Sequence, residues 1–551
     1  MNRVTDETPC LVPWAGNSVL LCGADLVDGT GSPARQADVL VREGRIAAVE
    51  AHLDRLEDVP TIDLRGRELM PGFIDVHTHD DLAILSRDGC EPKLRQGVTT
   101  SVLGNCGLGC APSTPGGDLE SYSAPVLGPS GRNRHWSRFT DYLDELERTP
   151  TTINSVCLVP HHPLRVAAMG IESRVANRSE VADMASALDE AMTAGAAGLS
   201  FGLLYAPGNA AEPSELHRLA EVVASHGGIV AAHVRNEADH VQASVDEIVD
   251  LAKATGVAIQ ISHLKVTSPR NFGSMPHLLK RLEDYRSSGI DVMADVYPYE
   301  AGSTTTSTLL PSWAVEQGPT SIRDAVENPR KRERLRSELS RRWTEPGQEN
   351  FVESIGAAKL VLAGFTRPAN LDLEGSTLAD IAVRREVDPI DCLIDLLGEE
   401  GGALTAVIFH TDPVGMREVL AWPHALIGSD GLPRSHGYVH PRLYGAFSRV
   451  LAEYSGVGKL LSRTEAVRRM SGASAARFGV GDRGTIEPGS VADLVVIDPA
   501  RLQDRASFVH PRRHPNGFEL VAVAGRPVWS QDARTTVQRG SLLRSGNHSG
   551  G

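Results

Sequence analysis

Six side chains far apart in the sequence carry its strongest chemical signal: His77 and His79 in GFIDVHTH, Cys106 in GNCGLGC, His233 in AAHVRNE, His263 in ISHLK and Asp430 in IGSDG. Histidines two apart on a strand point the same way, so both imidazoles of the HxH pair can face one ion. An HxH by itself is served equally well by two hydrogen-bonded histidines, and a lone buried cysteine or histidine is more often structural than a ligand. Five such groups at the same end of successive β runs reverse that balance. Imidazole and thiolate suit Zn²⁺, and an open coordination position leaves room for water.

The elements that must hold these residues are legible as a repeat of short apolar runs separated by amphipathic helical stretches. The runs are GFIDVHTH (72–79), VTTSVLGN (98–105), NSVCLVPHH (154–162), AAGLSFGLLY (196–205), GIVAAHV (228–234), VAIQISHLK (257–265), IDVMADVYPY (290–299) and HALIGSDG (424–431). Eight β runs alternating with helices predict an α/β fold, a (β/α)8 TIM-like barrel, whose chemistry sits at the carboxyl ends of the strands. Alternating patterns in 18–70 and 484–530 predict a small β-sandwich built from both terminal regions, because lone hairpins cannot bury a core. The barrel then spans 71–483. It carries a large insertion around 300–420, which is expected to cover the site or form an oligomer contact. Residues 1–17 read as an irregular extension and 531–551 as a flexible tail.

Composition narrows the class. With 551 residues, 55 Lys+Arg against 70 Asp+Glu and a net charge of −15, the chain repels phosphate polyanions, so neither nucleic acid nor an anionic membrane is an expected partner. No apolar run is long enough to span a bilayer, and the first residues lack a basic start followed by an apolar stretch, which predicts a cytoplasmic protein. Seven scattered cysteines fit reduced thiols better than a disulfide framework.

The segments PGFIDVHTHDD, QGVTTSVLGNCGLGCAP, AAHVRNEAD, ISHLK, DVYPYEAGSTT, IGSDGLP, HPRLYGAFSRVL and PGSVADLVVID resemble the amidohydrolase superfamily and, within it, the D-aminoacylases, also called N-acyl-D-amino-acid deacylases. The resemblance runs from about Asp25 to Val528. It implies an amidohydrolase-type barrel and places His77 and His79 at one metal position, His233 and His263 at the other, and Cys106 as a thiolate able to touch both. Most binuclear relatives use a carboxylated lysine after the fourth strand, and GLSFGLLYAPG contains no lysine. The resemblance further implies one tightly bound Zn²⁺ at the Cys/His/His position with a weaker second site at the HxH pair. Asp430 is then the base towards the hydrolytic water. Lys265 and Arg442 form a clamp for the substrate carboxylate, with Arg434 as a neighbouring substitute for Arg442, and Tyr205 and Tyr297 act as hydroxyl partners.

The implied activity is hydrolysis of N-acyl-D-amino acids, with a small acylated amino acid as the partner. Two alternatives stay open: an amidohydrolase that deacylates a biosynthetic intermediate or peptide, and, more remotely, a non-catalytic scaffold on the same fold. His161, His162, His410, His436, His440 and Cys110 match no position of the metal pattern and are expected to be structural.

Overall fold

A computed structural model describes residues 14, 18–86, 88–113, 118–128, 134–344, 347, 349–531 and 537–545. Eight parallel strands follow one another around a barrel: Phe73–Asp75, Val98–Leu103, Asn154–Pro160, Gly198–Gly202, Ile229–His233, Ala258–Ile261, Val292–Val296 and Ala425–Ile427. Each lies within one of the eight apolar runs. The strands are buried along almost their whole length, as a parallel sheet covered on both faces requires. Inside the barrel, Ile74, Val102, Val156, Leu158, Ile229, Ala231 and Leu426 pack together with Phe478 and Val480, so it is a filled core and not a pore.

The helices between strands follow ordinary capping chemistry. Arg178–Thr193 begins at Asn177, whose side chain accepts from the Ser179 and Glu180 amides while Glu180 reaches back to the Asn177 amide. Its buried face is Met184, Ala185, Leu188, Ala191 and Met192, spaced three to four residues apart.

The first and last strands do not form a regular ladder. They meet through one parallel bridge, Thr78 to Gly431, and through the Asp430 amide donating to the His77 carbonyl at 2.8 Å. Behind this seam the fully buried Lys93 ammonium contacts Asp75 and Ser429 and lies 3.4 Å from Asp80. The Ser429 amide donates to Asp75 at 2.8 Å.

The terminal regions form one eight-stranded sheet in which Glu68–Pro71 lies between Val19–Leu26 and Leu494–Ile497. As predicted, both terminal regions build one small β-domain, and its strands share one core that includes Val19, Leu21, Val39, Leu494 and Leu520. Of the predicted N-terminal extension only Trp14 is described up to residue 17, and it is buried in that core.

The insertion has its own three-stranded antiparallel sheet, with Thr405–Ile408 between Gly302–Thr305 and Leu360–Ala363, and its own apolar core. Residues 537–545 depart from the expected flexible tail and are tied down at the amino-terminal end of the barrel. The Gly540 amide donates to Thr151 O at 2.9 Å, Leu543 to Ser155 O at 2.7 Å and Ser545 to Gly195 O at 2.9 Å, and Arg544 pairs with Glu147 at 2.9 Å. Among the described residues, no helix is long and apolar enough to cross a membrane. Truncation after residue 536 is expected to lower the thermal midpoint by roughly 2–5 °C, read by calorimetry, because several buried backbone acceptors lose their partners.

Candidate metal centre and active site

The six residues of the sequence signal converge at the carboxyl end of the barrel. Cys106 sits in a tight turn after the second strand with φ of 55°. The flanking glycines make that turn feasible. Gly104 (φ 76°) passes so close to the third strand that a β-carbon would lie 2.1 Å from Leu158 O, and one on Gly107 (φ 67°) would lie 2.6 Å from the Gly202 amide. Ser200, on the fourth strand, braces the turn: its hydroxyl donates to Gly104 O and accepts from the Gly107 amide at 2.9 Å.

Cys106 Sγ lies 3.2 Å from His77 Nε2 and 3.4 Å from His263 Nε2, between the two histidine pairs. His79 Nε2 is 3.1 Å, and His77 Nε2 3.6 Å, from Asp430 Oδ1. The donors form three overlapping sets, His77–Cys106–His263, His77–His79–Asp430 and His233–Glu237–His263, each with its ligand atoms within 4.8 Å of one another.

This donor set fits a divalent cation. Both ring nitrogens of His233 and Nδ1 of His79 are buried without a hydrogen-bond partner. Burial holds the His233 and His263 imidazoles well below their ordinary value, in the neutral form that has a lone pair to give. Burial would also lower His77, but Cys106, Asp295 and Asp430 outweigh it and lift this imidazole well above the ordinary value, so positive charge is favoured at the centre of the cluster. Burial alone would raise the Asp430 carboxyl, whereas Arg442, His77 and the contact with His79 hold it well below the usual carboxylate range. Asp430 is thus an anion with one oxygen at the histidines and the other 2.8 Å from Arg442 Nη1.

Two carboxylates absent from the predicted site complete the arrangement. Asp295 Oδ1 is 3.0 Å from His77 Nδ1 and accepts from the His263 amide at 2.7 Å. Glu237 Oε1 is 3.1 Å from His263 Nδ1. Each faces the nitrogen that points away from Cys106, the pairing that fixes a ligating imidazole's orientation. Asp295 occurs in the DVYPY segment and Glu237 lies four residues after His233, so both were visible as acids, without a signal for their direction.

The predicted clamp residues share one cavity with the donors. It is lined by His79, Tyr205, His233, His263, Lys265, Tyr297, Asp430 and Arg442, and roofed by Ser303, Thr304, Phe351, Ile408 and His410 from the insertion. Lys265 Nζ lies 2.6 Å from Glu237 Oε1 and 2.8 Å from His263 Nδ1. The Tyr297 ring lies 4.6 Å from the Arg442 guanidinium, its hydroxyl buried without a partner. Thr304 Oγ1 donates to the Tyr205 hydroxyl at 3.1 Å. Arg434 turns elsewhere, donating to Pro125 O at 2.9 Å.

The residues expected to be structural divide. His161 pairs with Glu215 at 2.7 Å, His162 faces Gly202 O at 2.9 Å, and His440 faces Ala301 O at 2.9 Å. Burial pushes His162 down to about 3. His410, by contrast, lines the cavity, 5.2 Å from the Phe351 ring centre, with its pKa lowered by burial to about 3. Cys110 is buried outside all three donor sets.

With this donor cluster at the mouth of its parallel barrel, the chain belongs to the amidohydrolase family, whose model matches residues 60–333 and 395–529. Within that family it belongs with the D-aminoacylases. It is 36% identical over 528 residues to the D-aminoacylase of Alcaligenes xylosoxydans xylosoxydans, covering 95% of this chain and 97% of that protein. A D-aminoacylase structure with a binuclear metal centre, described by one-metal activation and second-metal attenuation, aligns with a TM-score of 0.79 at 34% identity, covering 96% and 100% of the two chains. The N-acyl-D-glutamate deacylase of Bordetella bronchiseptica, complexed with zinc and a phosphonate mimic of the tetrahedral intermediate, gives 0.80 at 32% identity, covering 96% and 99%.

Asp295→Asn and Glu237→Gln are each expected to weaken divalent-metal affinity about 10–100-fold, measured by competition with a chromogenic chelator, while the apo proteins keep wild-type circular dichroism.

Proposed function

We propose that this hydrolase cleaves the amide bond of N-acyl-D-amino acids with the help of zinc, giving a carboxylic acid and a D-amino acid. The observation that carries the reading is the Asp430 carboxylate, buried and anionic, shared between the histidine cluster and Arg442 at the floor of a cavity that also contains Lys265 and Tyr297. Cys106, His233 and His263 would hold the principal zinc, and His77 and His79 a second, weaker one. Zinc when bound supplies polarisation of the amide carbonyl and a lowered pKa for water.

The protein's own groups supply the rest. Asp430 takes a proton from water as the water oxygen bonds to the acyl carbon, and returns it to nitrogen as the carbon–nitrogen bond breaks. Arg442, on the other carboxylate oxygen, keeps Asp430 ionised. Lys265 and the unpartnered Tyr297 hydroxyl receive the substrate carboxylate, with Arg442 completing the positive wall. For the carboxylate to reach Lys265, Glu237 must share or yield its contact there.

Turnover of N-acetyl-D-Met, N-acetyl-D-Phe and N-acetyl-D-Asp but not of their L forms is the expected pattern, followed by amine release. Silence on every D substrate would favour a more specialised amidase. Asp430→Asn is expected to retain zinc, by elemental analysis, and to lose about 10³-fold or more in kcat. Lys265→Met should chiefly raise KM; an unchanged KM would place the carboxylate elsewhere.

A further inference from the structure

A second cavity adjoins the catalytic one and shares Leu108 and Tyr205 with it. Its lining comes from both bodies of the protein. Leu108, Pro125, Tyr205 and Ala206 belong to the barrel, and Val315, Gly318, Pro319, Ile322 and Gly402 to the insertion, with the Thr305, Ser307 and Thr308 hydroxyls along one side. Among the described residues, no charged side chain lines it. Its floor is tight: a β-carbon on Gly402 (φ 76°) would lie 2.9 Å from Ile322 Cδ1.

Its direction is set by the barrel. Lys265, Tyr297 and Arg442 follow the sixth, seventh and eighth strands, whereas Leu108 follows the second, opposite the sixth, and Tyr205 the fourth, opposite the eighth. An acylated amino acid anchored by its carboxylate at Lys265 and presenting its amide to Asp430 therefore carries its acyl chain away from the clamp, towards the Leu108–Tyr205 wall. We propose that this uncharged cavity between barrel and insertion is the acyl-chain subsite, and that the substrate class is D-amino acids bearing unbranched acyl groups longer than acetyl. This rests on the deacylase reading and extends it to the half of the substrate that leaves as the carboxylic acid. Leu108, Val315 and Ile322 are then specificity-determining positions, filled by methylenes.

The test is an acyl series, N-acetyl-, N-butanoyl- and N-hexanoyl-D-methionine, assayed with the zinc-loaded full chain. Burial of a methylene contributes roughly a threefold to fourfold factor when complete. The kcat/KM ratio of hexanoyl to acetyl is accordingly expected to exceed about ten, and Ile322→Trp or Val315→Trp to collapse that ratio at least about fivefold. A measurement independent of any variant is product inhibition of the wild type, in which hexanoate should bind about tenfold more tightly than acetate. A series flat in chain length, equal inhibition by the two acids, or variants that alter the choice among amino-acid side chains while leaving the acyl ratio intact would each overturn the subsite. Failure to turn over any member of the series would instead strike the deacylase reading itself, and the subsite with it.

Discussion

The site depends on how the barrel is closed. Its first and eighth strands lack a ladder of hydrogen bonds, and the buried Lys93 ammonium, held by Asp75, Asp80 and Ser429, takes the ladder's place. Asp75 is two residues before His77, and Ser429 immediately precedes Asp430. One ion pair therefore sets the position of the HxH pair against that of the carboxylate facing it. A charge this deeply buried is tolerated because two carboxylates and a hydroxyl surround the ammonium, and loss of Lys93 would leave both carboxylates uncompensated, a defect of about 3–5 kcal/mol. The same arrangement explains why the catalytic end of the barrel can hold so many acids and imidazoles without a ladder to stiffen it.

Backbone strain concentrates where the strands hand over to the site. Cys106, His263 and Asp430 all have positive φ, at 55°, 36° and 50°, where few of the described non-glycine residues do. Such conformations persist only when the surroundings impose them. At Cys106 those surroundings are the two glycines and the Ser200 hydroxyl. At His263 the backbone amide is drawn to Asp295, and at Asp430 the amide is drawn to the His77 carbonyl. Each turn swings a donor inward at the point where an extended strand would have carried it past.

The barrel was legible because a parallel strand buried on both faces must be apolar throughout, and eight such runs with polar ends leave few alternatives. The convergence of His77, His79, Cys106, His233, His263 and Asp430 followed from their common position at the strand ends. What stayed hidden was direction. Asp295 and Glu237 are acids among many, and nothing in their spacing indicates that they face the far nitrogens of His77 and His263. Ser200 reads as an ordinary strand serine until its hydroxyl is seen to brace a turn some hundred residues earlier. In the terminal β-domain, alternation reports which face of a strand is buried and says nothing about which edges pair, so its strand order was not legible. Residues 537–545 look mobile by composition, yet their backbone finds acceptors on the barrel floor.

The sheet made from both ends of the chain also governs how the protein can be made. Glu68–Pro71 joins Val19–Leu26 on one edge and Leu494–Ile497 on the other, so the strand synthesised early waits for one synthesised more than four hundred residues later. Until then the ribosome displays an unsatisfied β edge beside a barrel that can already be closing, the kind of exposed template that recruits chaperones or neighbouring nascent chains. Slow translation of the last hundred codons would lengthen that exposure, and circular permutation that brings the two edges together in sequence would remove it.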